Sequence, residues 1–192
     1  MKKIELIYRE IADTAIENKS KILTQSELSK KLNVSLSTVN HALKPLIKIN
    51  SIEIKQRCFK VIDVKKILYY WASIRNIERD IVYSTRVDLT PREIEKNMPQ
   101  GIIYGAYSAY CFRFKDAPSD YSEIYVYGDE SLEKRFKKSD KPSNLFVIKK
   151  DEFMKGKITS IAQTFVDLWN IKSWYAKEFL KELGVKIDGL LE

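Results

Sequence analysis

Histidine, cysteine and glycine are scarce in this chain of 192 residues, and each scarcity excludes a class of site. The chain has one histidine, His41, and two cysteines, Cys58 and Cys111, which are far apart in the sequence. These side chains cannot supply the four ligands of a usual zinc site, and they argue against histidine-based catalysis. There are six glycines, and neither a GxGxxG motif nor a phosphate-binding loop occurs. We therefore predict no metal site, no cofactor and no catalytic residue.

Long apolar runs are also missing, which excludes a helix that spans a membrane. The longest candidate, Ile67–Ile74, falls well short of the roughly 20 apolar residues that a bilayer requires. The Met1-Lys2-Lys3 start is followed by interleaved charged residues and not by an apolar signal segment. Hydrophobic residues still make up 44% of the chain, enough for the cores of two small domains. We expect a folded cytoplasmic protein with no membrane contact.

Positive charge is abundant, and it is confined to one part of the chain. Residues 1–79 contain 16 Lys and Arg against 8 Asp and Glu, whereas residues 80–192 contain 18 of each sign. Basic residues placed beside phosphates release condensed counterions, so a local cationic surface is typical of a nucleic-acid-binding module. Lysine-rich surfaces also occur simply for solubility, and the motif in the same residues decides between the two interpretations.

Three helices followed by a hairpin are predicted in the first 62 residues. A T-x-x-E capping box at Thr24 begins the second helix, and Ser35 can cap the third. Two short alternating runs then meet at Gln56-Arg57. The five elements are expected over residues 3–17, 24–32, 36–49, 51–55 and 58–62. This order predicts a winged helix-turn-helix domain over residues 1–62.

The predicted third helix has one apolar and one polar face. Val39, Leu43 and Leu46 would pack on the first two helices. The polar face carries short hydrogen-bonding side chains near the helix start, where a recognition helix meets base edges, and lysines further along, where phosphates lie. We assign base contacts to Ser37, Thr38, Asn40 and His41, and phosphate contacts to Lys44, Lys48, Lys55, Arg57 and Lys60.

The same face would also suit an ordinary solvated helix. DNA binding is favoured because the face lies within a T-x-S-E-L-x-x-x-L-x-V-S-x-x-T-V sequence that is followed by a wing and accompanied by surplus positive charge. Pro45 removes one helical hydrogen bond, so a kink is expected within this helix.

Residues 63–79 are predicted to form a connecting helix that begins at Asp63. Its apolar stripe runs from Val64 to Ile77 and must be buried. Packing on the winged helix and the second domain is slightly favoured. Pairing with a second copy is the alternative, and winged-helix proteins often form homodimers so that two recognition helices meet successive turns of DNA.

Residues 80–192 are predicted to form a small mixed α/β domain, which makes the whole chain α+β. Strands are expected over 81–87, 123–127 and 145–149, and helices over 91–98, 106–114, 131–137, 158–170 and 174–183. Gly101–Gly105 is expected to be a turn, and Gly184 to end the last helix. The aromatic residues and the two cysteines are assigned to the interior of the fold.

One segment of this domain resembles the signature of minimal nucleotidyltransferases. That signature has Gly and then Ser or Gly, followed some ten residues later by Asp-x-Asp or Asp-x-Glu on a strand. Gly105 and Asp120 match it, whereas Ala106 and Ser122 depart from it. Glu123 would face the other side of the strand, so the two-metal site that the resemblance implies is incomplete. A non-catalytic relative or a chance match is favoured over an enzyme.

A second resemblance covers most of the chain. A winged helix followed by Tyr-Gly-Ala-Tyr-Ser-Ala, a Glu-Ile-Tyr-Val-Tyr strand and a late helix containing 162–168 looks like the AbiEi-type antitoxin regulators. The resemblance implies a repressor that binds its own operator while residues 80–192 oppose a nucleotidyltransferase-type toxin. Asp167, within that late helix, is expected to be an exposed or capping carboxylate.

The prediction from the sequence is a sequence-specific double-stranded DNA-binding regulator, homodimeric, with a second domain that senses or binds a partner. Two other classes stay open. One is a nucleotidyltransferase-like enzyme with an appended winged helix, and the other is a protein-interaction adaptor that has lost DNA binding.

Overall fold

The computed structural model describes all 192 residues, which divide into two compact units. The first unit contains Met1–Arg75 and Lys186–Glu192, and the second contains Asn76–Val185. The helices are α1 Lys3–Ile16, α2 Gln25–Lys31, α3 Leu36–Lys48, α4 Val64–Ile74, α5 Pro91–Lys96, α6 Ala106–Phe114, α7 Ile161–Asn170 and α8 Ala176–Leu191. The strands are β1 Ile22–Leu23, β2 Ile52–Ile54, β3 Phe59–Val61, β4 Ile81–Thr85, β5 Ile103–Tyr104, β6 Ile124–Gly128 and β7 Leu145–Lys149. The predicted α+β class is confirmed.

The first unit contains the predicted order of three helices and a hairpin. The capping box is present: the backbone N–H of Glu27 donates to Oγ1 of Thr24 at 3.1 Å, and the Thr24 N–H donates to the Glu27 carboxylate at 3.2 Å. β1 adds a third strand that pairs antiparallel with β3, giving the sheet order β1-β3-β2. The prediction missed this strand because two residues are too few to show alternation.

Helix α4 packs against α1 within the first unit, and its apolar stripe is buried there. Ile67, Leu68 and Trp71 are fully buried. Glu5 on α1 accepts hydrogen bonds from the Trp71 indole and the Arg75 guanidinium, both at 3.3 Å. A buried carboxylate is tolerated here because charged and polar donors meet it.

The connecting helix is shorter than predicted. It ends at Ile74, and the prediction that it continues through residue 79 is wrong. Arg75 adopts an extended conformation, and the side chain of Asn76 caps a separate 3-10 helix, Ile77–Asp80, by accepting from the Arg79 N–H at 3.2 Å. Asparagine competes in this way with helix continuation because its side chain satisfies nearby backbone groups.

The second unit is built on a four-stranded sheet with the order β4-β7-β6-β5. The β6 and β7 strands run parallel, whereas the other neighbours are antiparallel. One face packs on a cluster of buried apolar side chains that comprises Tyr83, Ile94, Ile102, Ile124, Val126, Leu132, Phe136, Leu145 and Val147. Helices α6 and α7 pack against each other, and α6 also packs on β6.

Three local predictions for this unit are wrong. The segment predicted as a helix over 131–137 is a 3-10 helix, Glu130–Lys134, and β5 occupies the expected turn at 101–105. Helix α8 continues through Gly184 to Leu191. Gly184 does not adopt a positive φ, so it forms no left-handed cap, and Ile187 in the following turn of the helix is fully buried.

The interior of the second unit is rich in aromatic residues, as predicted, but the assignment is wrong for Trp169 and Trp174, which are 45% and 73% exposed. Tyr107, Tyr110 and Phe179 are fully buried, and Phe179 lies 5.0 Å from Tyr107 and 5.3 Å from Tyr110 between ring centroids. The two cysteines are free thiols and are half-buried, so they are less enclosed than expected.

Asp167 is fully buried, and the expectation of an exposed or capping carboxylate is wrong. The Tyr127 hydroxyl lies 2.9 and 2.7 Å from its two oxygens, and the amide nitrogen of Gln163 donates to it at 2.9 Å. Gln163 precedes Asp167 by one helical turn on α7, and Tyr127 projects from β6. These donors, supplied from two elements, allow the carboxylate to be buried.

We predict that Asp167→Ala lowers the free energy of unfolding by about 3 kcal/mol, because the Tyr127 hydroxyl and the Gln163 amide lose a buried acceptor and a cavity opens. Chemical denaturation of the full chain measures this change. The exposed Glu152 is a matched control, and Glu152→Ala should shift stability by no more than about 0.5 kcal/mol. Equal stability of the two variants would show that the buried network contributes nothing.

Candidate nucleic-acid interface

The turn between α2 and α3 is held by side-chain and backbone contacts. Asn33 has a φ of 48°, in the left-handed region that asparagine tolerates better than most residues. The Val34 N–H donates to the Ser29 carbonyl at 3.1 Å, and the Ser29 hydroxyl donates back to the Val34 carbonyl at 2.6 Å. These bonds fix the direction in which α3 leaves α2.

Ser35 caps α3, as predicted. Its Oγ accepts from the Thr38 N–H at 3.1 Å and shares a hydrogen bond of 2.8 Å with the Thr38 hydroxyl. Thr38 is half-buried, and its bond to Ser35 uses part of the hydrogen-bonding capacity of its hydroxyl group. The other three residues assigned to base contacts, Ser37, Asn40 and His41, are exposed.

The two faces of α3 separate as expected from the sequence. Val39, Ala42, Leu43 and Leu46 are at most 1% exposed, and α3 packs on α1 and α2. The helix runs without a break past Pro45, to Lys48. Side chains three, four or seven positions apart share a helix face, so the exposed His41, Lys44 and Lys48 form one continuous surface.

The hairpin of β2 and β3 is the wing. The Lys55 N–H donates to the Cys58 carbonyl at 2.8 Å, which closes the predicted tip at Gln56-Arg57. All three wing residues assigned to phosphate contacts are exposed, namely Lys55, Arg57 and Lys60. The wing therefore presents basic side chains to solvent both at its tip and on its β3 strand.

An acidic residue, Glu53, lies among the wing cations. It forms an ion pair with Lys55 and stands directly opposite Lys60 in the β2–β3 register. Lys44, Lys48 and Arg57, in contrast, make no ion pair. Because an exposed lysine that is already paired gains less from a phosphate, we expect Glu53 to reduce the contribution of the wing to DNA binding relative to that of α3.

Two exposed apolar residues of this region were missed by the sequence reasoning. Leu36, the first residue of α3, is 55% exposed, and Ile54, at the end of β2, is 45% exposed. Leu36 precedes Val39 by three positions and Leu43 by seven, so helical periodicity assigns it to the buried stripe. An apolar side chain at the start of a recognition helix can contact a thymine methyl group.

Residues 14–53 match a family model described as winged helix-turn-helix DNA-binding. The match extends from the last turn of α1 to β2 and therefore contains the whole of α2, the turn and α3. No curated protein and no solved structure matches the chain. None of the helices has both the length and the apolar character needed to cross a membrane. The first unit thus carries a winged helix-turn-helix domain of the DNA-binding kind, and the match supports a DNA-binding regulator.

We predict that His41→Ala and Lys44→Ala weaken DNA binding in different ways. Loss of His41 should reduce the preference for one base pair by about 1–3 kcal/mol, because a base-edge contact disappears. Loss of Lys44 should weaken binding to every duplex to a similar extent and reduce the slope of log K against log salt by about 1. Titrations of selected and random duplexes at several salt concentrations measure both effects. Equal losses on both duplexes for both variants would contradict this division of roles.

We also predict that Glu53→Gln strengthens binding to any duplex by about two- to five-fold at low salt, because Lys55 is released and a carboxylate no longer repels phosphate. The matched experiment repeats the change in a Lys55→Ala background, where most of the gain should disappear. A gain of the same size in both backgrounds would show that the Glu53–Lys55 pair does not limit the wing.

Proposed function

We propose that the protein is a sequence-specific double-stranded DNA-binding transcription regulator. The observation that carries the proposal is the exposed polar face of α3, where Ser37, Asn40 and His41 lie near the helix start and the unpaired Lys44 and Lys48 follow. Hydrogen-bonding groups of this kind read base edges, whereas the lysines hold phosphates. Because such a regulator works on chromosomal DNA, we expect it in the cytoplasm.

The proposal includes a homodimer, since two recognition helices on one face of a duplex gain both affinity and specificity. The apolar stripe of α4 is buried against α1, so it is not the surface on which the proposed dimer forms. The proposed dimer contact is therefore formed by residues outside the apolar stripe of α4. A palindromic binding site with half-sites about 10 base pairs apart is the expected signature of this assembly.

The finer role that we propose is autorepression of the antitoxin type, with a toxin-like protein partner for residues 80–192. It is supported by the resemblance to AbiEi-type regulators in the order of elements along the chain. The elements on which that resemblance depends are the winged helix, helix α6, strand β6 and helix α7.

We further propose that the second unit is not an enzyme. The Glu123 carboxylate, in the segment just before β6 that resembles the nucleotidyltransferase signature, accepts from the hydroxyl groups of Ser173 at 2.6 Å and Tyr125 at 3.2 Å. Ser122 stands where the second metal carboxylate would be, and its Oγ lies 3.2 Å from the Tyr175 hydroxyl. No group of three or more His, Cys, Asp or Glu side chains is placed to hold a metal ion. These contacts favour a second unit that is not catalytic.

Selection of bound sequences from a random duplex pool tests the DNA-binding proposal. The wild-type protein should enrich one motif, and a triple variant with Ser37→Ala, Asn40→Ala and His41→Ala should lose that motif while it keeps weak binding to all duplexes. Absence of any gel shift by the wild type at low salt would overturn the proposal and favour the adaptor. Magnesium-dependent incorporation of labelled nucleotide that Asp120→Ala abolishes would instead establish the enzyme.

A further inference from the structure

The second unit contains an open cleft with a volume of about 880 Å³, which lies between α5, the end of α6 and the loop that follows α6. Its lining includes Arg92, Glu95, Cys111, Phe112, Asp120 and Tyr121. A concavity of this size, with apolar walls and a few fixed polar groups, is typical of small-molecule sites. The winged helix does not use it, and neither does the proposed DNA contact.

Glu95 is the one charged lining residue that is not exposed. One of its carboxylate oxygens accepts hydrogen bonds from the Ser108 hydroxyl at 2.6 Å and the Tyr121 hydroxyl at 2.9 Å. The carboxylate has no cationic partner, and its second oxygen accepts no hydrogen bond. A half-buried carboxylate with one oxygen held by two neutral donors is prepared to receive a positively charged N–H donor.

The aromatic walls of the cleft are held in place by their neighbours. The Tyr121 ring stacks on Tyr107 at 5.4 Å between centroids, and the Phe112 ring meets Tyr104 edge to face at 4.9 Å. The Tyr104 hydroxyl also donates to the backbone carbonyl of Glu95 at 2.8 Å. The aromatic walls and the Glu95 carboxylate are therefore held in place before a ligand binds, which reduces the entropy that is lost on binding.

The two titratable side chains nearest Glu95 inside the cleft, Cys111 and Tyr121, are neutral, so they do not offset the Glu95 charge. Burial raises the pKa of the Cys111 thiol to about 11, although a hydrogen bond with Tyr121 acts in the opposite direction. Burial, and secondly the nearby Glu95, also raises the pKa of Tyr121. A protonated Cys111 is a poor nucleophile, which favours a binding site over a reactive one.

The charges of the exposed lining residues are mixed. Three cations, Arg92, Lys96 and Lys115, lie with Asp116 and Asp120 among the exposed part of the lining. A ligand whose amino group reaches Glu95 can therefore direct an anionic group to the exposed cations. Aromatic rings beside the amino group add a favourable cation–π interaction.

We propose that this cleft binds a small zwitterion of the amino-acid type, with its ammonium group on Glu95, its apolar part against Phe112 and Tyr121, and its carboxylate towards Arg92 and Lys96. A free amino acid carries all three groups, whereas a short peptide shares the ammonium group and side chain of its first residue but carries its carboxylate on the last one. The binding does not depend on the proposed regulatory function. In a DNA-binding regulator, the bound zwitterion would be the effector.

The test uses the full chain without DNA, with thermal shift and calorimetry against the twenty amino acids at about 5 mM. Each amino acid that binds is then compared with its N-acetyl form, with the amine that lacks its carboxylate, and with a tripeptide that begins with it. Acetylation should abolish binding, and loss of the carboxylate should weaken it roughly ten-fold. Binding of the free amino acid or of the tripeptide identifies the source of the ligand.

Three variants locate the site. Glu95→Gln should weaken binding at least about ten-fold, whereas the exposed Glu152→Gln should leave it unchanged. The double change Arg92→Ala with Lys96→Ala lies on the exposed rim, so it tests the site even if Glu95→Gln impairs folding. This double variant should weaken the binding of the amino acid but not the binding of the amine that lacks the carboxylate.

The proposal is overturned if no amino acid or tripeptide binds. It is also overturned if acetylated and free forms bind equally, or if neither the Glu95 variant nor the rim variant changes affinity. None of these results concerns DNA, so failure of this site and failure of the proposed function remain distinguishable.

Discussion

Burial of one side of α3 is the constraint on which the proposed DNA-binding surface depends. Val39, Leu43 and Leu46 must be removed from water, and their contacts with α1 and α2 determine which side of the helix remains exposed. This packing also positions the exposed polar residues of α3, which need no contacts of their own. The capped turn before α3 determines the direction of the helix axis, so the proposed recognition face is the side of α3 that the core leaves uncovered.

The winged helix could be predicted from the sequence because its signals are local. A capping box, a serine cap and an apolar stripe at helical spacing each involve residues within one or two turns of one another. The exposure of Leu36 and the ion pair of Glu53 with Lys55 could not be predicted in the same way. The first depends on where α2 ends relative to α3, and the second on side-chain positions in the hairpin.

The second unit was harder to predict because long-range contacts determine its features. Asp167 lies in an otherwise largely apolar helix, and its burial depends on the Gln163 amide one turn before it and on Tyr127, from a strand forty residues earlier. Likewise, the cleft residue Glu95 looks like an ordinary helix glutamate until Ser108 and Tyr121 are placed beside it. Periodicity reports which face of an element is apolar, but not which polar side chains meet across elements.

The polar contacts of Asp167 also determine how α7 seats against its neighbours. A helix held only by apolar side chains could slide by a turn or rotate slightly and lose little packing energy, since one methyl group can take the place of another. A carboxylate that must meet the Tyr127 hydroxyl on β6 favours a single axial register, because a shift of α7 would break this hydrogen bond between elements, whereas the Gln163 amide on the same helix would move with it. Asp167 thus favours one axial position for a helix whose packed side is otherwise largely apolar.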